Sequence, residues 1–183
     1  MLSKLLFIIL LSLAELKAPL KSSSQVIILI RHGEKISDDY TDLSPEGQAR
    51  ADCLPELFTK NNIGYVPTKI YANKRSDTST RPYDTVTPLA KALGLEIEEF
   101  DKSSNKKIKE FVEGTLANDK HDVILICSSH KKIPLLSKLI GKEVDVSHKE
   151  GFDKYFIYKN GKIIKQGKQS DYIGKCIKKK LQP

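Results

Sequence analysis

Two stretches of the chain are apolar at every position: Val26–Ile30 and Val123–Cys127. β-Branched residues dominate both, as expected of strands covered on both faces of a parallel sheet. Lys69-Ile70-Tyr71-Ala72 predicts a further short strand, and Leu95-Glu96-Ile97-Glu98 a more peripheral one. Helical spacing lies between them. Ser44-Pro45 supplies an N-cap and a first-turn proline, and Ala51, Leu54, Leu57 and Phe58 recur on one face. Pro55 is expected to kink or restart that helix. Pro82 to Leu93 reads as a helix closed by Gly94, Ile108 to Leu116 as another, and Ile133 to Ile140 as one closed by Gly141. Asn160-Gly161 between Phe156-Ile157-Tyr158 and Ile163-Ile164 predicts a hairpin. Alternating strands and helices predict a three-layer α/β/α sandwich around a mostly parallel sheet, with its site at the C-terminal strand ends.

The start of the chain follows a different rule. Met1–Lys4 carries one positive charge and Leu5–Leu11 has no polar residue. That run is too short to span a membrane and has the form of a signal peptide. Residues 1–18 are read as that segment, with Ala14 or Ala18 at the cleavage point, and 19–25 as a polar leader. The expected location is outside the cell or in the secretory lumen, with no stable membrane span after cleavage. An uncleaved anchor is the alternative.

Of 183 residues, 31 are Lys or Arg and 23 are Asp or Glu, a formal charge of +8. From Lys149 onward, ten Lys face only Glu150, Asp153 and Asp171. The folded domain is read as 26–168 and residues 169–183 as a basic tail, a solvated face with a frayed end. Weak polyanion contact by that tail is the partner it allows; no specific nucleic-acid partner is indicated. Cys53, Cys127 and Cys176 leave their pairing open: either two bond or none do. No spacing resembles a zinc site, and no Asn-x-Ser/Thr sequon is present.

Candidate chemistry gathers at strand ends. Arg31-His32-Gly33 follows the first apolar strand, and His130 follows the second through Ser128-Ser129. A neutral imidazole can attack phosphorus, and an arginine fork pairs with phosphate oxygens. Arginine is scarce: Arg31, Arg50, Arg75 and Arg81 stand against 27 Lys, so its placement carries meaning. Arg81 opens a helix, where phosphate is favoured.

These residues resemble the histidine phosphatase, or phosphoglycerate-mutase-like, superfamily. Arg31-His32-Gly33 matches its hallmark, and Leu43-Ser44-Pro45-Glu46-Gly47 its next motif. Arg81-Pro82-Tyr83-Asp84-Thr85-Val86-Thr87-Pro88-Leu89 matches its second arginine helix, and His130 its late histidine. The resemblance, over about Val26–Tyr158, implies His32 as nucleophile and phosphohistidine. It implies Arg31, Arg81 and His130, with His32, as phosphate-binding. Its substrate would be a phosphorylated small molecule or phosphoprotein. No cofactor or metal is expected, because Arg31, Arg81 and two imidazoles meet the phosphate charge. An inactive phosphate- or polyanion-binding protein on the same fold is the alternative.

Two departures qualify this. Lys131 and Lys132 follow His130 where many relatives have Gly, and at least one is expected to face solvent. The leaving-group acid is sought among Glu98, Glu99 and Asp101, with Asp101 preferred and no acid at all still possible. Glu34 is expected to orient its neighbours, and Asp84 to pair with Arg81 or a lysine. The short stretch Phe100–Asp122 leaves no room for the enclosing insertions of mutases, so transfer to water is expected.

Overall fold

The computed structural model describes residues 25–147 and 149–182. The signal segment and residues 19–24 of the leader lie outside them. Six strands form one sheet: β1 (Val26–Arg31), β2 (Lys69–Asn73), β3 (Ile97–Phe100), β4 (Val123–Ser128), β5 (Lys154–Lys159) and β6 (Lys162–Lys168). Their order is β3-β2-β4-β1-β5-β6. β1 to β4 run parallel, while β5 and β6 form an antiparallel hairpin turned at Asn160-Gly161, both at positive φ.

Alternation along β1 explains why it is apolar throughout. Val26, Ile28 and Ile30 face one core, with Leu54 and Leu57 of α1 (Pro45–Leu57) and Val86 and Leu89 of α2 (Arg81–Leu93). Ile27 and Leu29 face the other, with Ile108 of α3 (Asn105–Glu110), a π-helical continuation (Phe111–Leu116) and α4 (Ile133–Ile140). The result is the expected three-layer sandwich.

Three local expectations need correction. α1 runs through Pro55 without restarting. Pro55 lies in its last turn, where a missing N–H removes one bond from a helix already ending. β3 begins at Ile97, because the Leu95 N–H caps α2 by donating to Ala90 O at 2.9 Å. The tail is not frayed: Ser170–Lys180 forms α5. Its Ile173 and Ile177 enter the same core as α1, and Cys176 bonds Cys53 across 123 residues. Its lysines do form a solvated face. The third cysteine, Cys127, is a buried free thiol.

Among the described residues, no helix is long and apolar enough to cross a membrane.

Candidate active site

Sheet register assembles the site. Arg31 pairs with Ser128 at the ends of β1 and β4, and the His32 N–H donates to Ser128 O at 3.1 Å. The chain continuations of these adjacent strands carry His32 and His130 to one edge. There His32, Arg81, His130 and Asp101 line a single cavity of about 500 Å³.

His32 is 3% exposed. Its Nδ1 lies 2.7 Å from its neighbour Gly33 O. A carbonyl only accepts, so Nδ1 carries the proton and Nε2 keeps its lone pair. Burial, then the positive charges of Arg31 and Arg81, lowers the ring pKa to about 3, against the carbonyl's opposing pull. The imidazole is therefore neutral across the physiological range. His130 is also shifted down, first by burial and then by Arg31 and Lys131.

The loop carrying His32 is held by close packing. A Cβ on Gly33 would lie 2.9 Å from Gly47 O, and one on Gly47 would lie 2.3 Å from Glu34 O. The turn after β1 thus lies directly against the first turn of α1, which Ser44 caps through Gly47 N at 3.2 Å. Gly33 N also donates to Thr85 Oγ1 at 2.9 Å, and Thr85 Oγ1 donates to Arg81 O at 2.7 Å. One threonine of α2 so links the His32 loop to Arg81.

Arg81 is itself fixed from outside: Nε donates to Thr41 O at 3.2 Å and Nη2 to Tyr40 O. Arg31 stands behind the cavity wall. It donates to Val146 O at 2.9 Å and lies 3.6 Å over the Phe152 ring, whose edge also meets His32. Burial pushes its pKa down to about 10, leaving it charged at neutral pH.

The acid candidates sort by their partners. Glu98 pairs with Lys69, and Glu99 with Arg75, whose Nε is 3.0 Å away. Asp101 reaches the cavity, but its exposed carboxylate accepts from Ser103 N at 2.7 Å, which lowers its pKa. A proton donor needs the opposite shift. Among the described residues, Asp84 pairs with neither Arg81 nor a lysine; it accepts from Thr80 Oγ1. Glu34 does orient its neighbours: it chelates Arg50, which also reaches Asp153 at 2.7 Å. Both Lys131 and Lys132 line the cavity, Lys131 being exposed.

Two supporting residues escape sequence reasoning. Arg50, 5% exposed, ties the β1 loop to the segment before β5. Asn73, at the end of β2, accepts from Ser128 Oγ at 3.0 Å and Ser129 N at 2.9 Å, holding the turn that carries His130. Arginine scarcity is the one signal that pointed to Arg50. Among the described residues, no group of three His, Cys, Asp or Glu is placed to hold a metal.

No family model matches the sequence, and no curated protein matches it. Solved structures do match in fold. A candidate phosphohistidine phosphatase SixA from Agrobacterium tumefaciens superposes with a TM-score of 0.58 at 14% identity, covering 79% of this chain and 97% of that one. A candidate SixA from Nakamurella multipartitia gives 0.47 at 13% identity over 78% and 95%. A candidate α-ribazole-5′-P phosphatase from Escherichia coli K-12 gives 0.48 at 15% identity over 64% and 78%. The chain shares the fold of the Agrobacterium protein, the three-layer α/β/α fold that the sequence resemblance implied. Likeness at this identity establishes fold, and the chemistry has to be argued from the site itself.

Proposed function

We propose that this protein is a phosphatase that hydrolyses phosphomonoesters through a phosphohistidine on His32. The observation that carries the reading is the His32 ring: neutral, with Nδ1 pinned to Gly33 O and Nε2 available at a cationic cavity.

Nε2 attacks phosphorus and the phosphorus–oxygen ester bond breaks. The departing oxygen takes a proton from solvent at the open mouth, since Asp101 is held as a carboxylate. Arg81 and His130 hold the non-bridging oxygens, and Arg31 adds positive charge from behind. Water then attacks the phosphorylated ring, releasing phosphate and restoring neutral His32. Positioning and electrostatics supply the rate, as in phosphoryl transfer generally. No mutase activity is expected.

The disulfide between Cys53 and Cys176 supports a protein that matures in an oxidising compartment, consistent with a cleaved signal segment and secretion. Fractionation and N-terminal sequencing of the mature protein test that part.

The chemical test is trapping. Brief reaction with labelled phosphomonoester, quenched in alkali, should leave label on His32 that survives base and is lost in acid. Label on a serine or cysteine would overturn the mechanism. Phosphate binding without turnover would favour the inactive, anion-binding alternative.

A further inference from the structure

The cavity is larger and more positive than one phosphate requires. Its volume lies within the range of small-molecule sites, ~300–1,000 Å³. Seven Lys or Arg side chains line it, against the carboxylates of Asp38 and Asp101. Some of that charge is already matched, because Lys35 pairs with Asp38 and Arg75 with Glu99.

Lys102 and Lys132 are different. Both are half-buried, and neither forms an ion pair with a carboxylate among the described residues. Burial lowers the Lys102 pKa, and its neighbours Arg81 and Lys132 lower it further. Three like charges thus line the same cavity: Arg81, Lys102 and Lys132. Such an arrangement costs stability and is relieved when a ligand brings the opposite charge. Lys132 is fixed by the turn that holds His130, its N–H donating to Ser129 O at 2.9 Å. Lys102 immediately follows Asp101, beyond β3. The two lysines therefore come from separate segments and line the same cavity as Arg81.

We propose that Lys102 and Lys132 form a second anion subsite, so that the substrate is a small molecule carrying two phosphate groups. One phosphate is presented to His32 and the other rests on the two lysines, with Arg81 between. This rests on the phosphatase reading for the hydrolysis, though not for the binding. A cavity of about 500 Å³ has room for a small bisphosphate.

The test separates binding from turnover. Calorimetry with propane-1,3-bisphosphonate and propylphosphonate, neither of which can be hydrolysed, should show the bisphosphonate binding at least about 10-fold tighter at low salt. The double substitution Lys102→Met, Lys132→Met should cut that preference to about 2-fold, with no loss of melting temperature. In turnover, kcat/KM for fructose 1,6-bisphosphate should exceed that for fructose 6-phosphate. The double variant should lower the first much more than the second. Equal binding of the two phosphonates by the wild type would overturn the subsite. So would equal losses for both sugars in the variant, or a phosphopeptide outcompeting both. Preferential bisphosphonate binding with no hydrolysis of any ester would leave the subsite standing and sink the phosphatase reading. Hydrolysis of p-nitrophenyl phosphate with no bisphosphonate preference would do the reverse.

Discussion

The floor and the mouth of the cavity are built on opposite principles. At the floor, His32 and Arg81 are 3% and 5% exposed, with Arg31 (4%) behind them, and backbone carbonyls or packed rings fix each one. At the mouth, Lys74, Asp101 and Lys131 are exposed, and Lys102 and Lys132 are half-buried. The floor resists change because each group is held from several directions, by residues as distant as Val146 and Tyr40. The mouth is held by little besides its own turns. A site divided this way separates the chemistry, which needs fixed geometry, from the choice of ligand, which is tuned by long flexible charges.

Substitution at the floor should break activity, and the largest effect falls on the nucleophile. His32→Ala should lower kcat by at least about 10³-fold, because it deletes the covalent step. Circular dichroism should still report the folded sheet. Arg81→Ala should cost about 10²-fold in kcat/KM, the scale of losing one donor to the transferring group.

The next prediction uses the pH axis. An ordinary histidine of pKa 6.5 loses about 30-fold of its neutral form by pH 5. His32, held at about 3, should lose almost none. After correction for substrate ionisation, the kcat/KM profile should show no acid limb near 6.5 belonging to this ring. An enzyme pKa near 6.5 that disappears in His32→Ala would contradict the neutral floor. Stability should move the other way. The unfolded ring takes up a proton below 6.5 that the folded ring refuses. Stability is therefore full above 6.5 and falls as pH drops toward about 3, which urea titrations can follow.

The smallest effect is expected at the mouth. Asp101→Asn should change turnover of a monoester by less than about 3-fold, far short of the ~10²-fold that a true proton donor supplies. A larger loss, confined to substrates with poor leaving groups, would restore Asp101 as the acid and blur the division between floor and mouth.

The floor was legible in the sequence and the mouth largely was not. Val26–Ile30 and Val123–Cys127 announce central strands because burial on both faces leaves no polar position. Arg31, His32, Arg81 and His130 could be read because each follows a strand or opens a helix. Arg50 shows the limit: its carboxylate partners lie 16 and 103 residues away, and no local pattern joins them. Lys102 is hidden by number among 27 lysines, whereas Lys132 drew notice only as a departure after His130. α5 was missed for a related reason. Its lysines read as a solvated tail and masked the helical spacing of Ile173 and Ile177. Cys176 could not be assigned to Cys53 without the packing of α5 on α1.

The Cys53–Cys176 bond has a practical consequence. It turns the intervening chain into a covalent ring that contains Arg81 and His130, while His32 lies in the loop ahead of it. A single protease nick inside that ring, in an exposed loop such as the one at Lys74–Thr78, cannot release either fragment. On a denaturing gel without reductant, a nicked molecule would migrate close to full length. Adding thiol would separate a piece bearing His32 from a piece bearing Arg81 and His130.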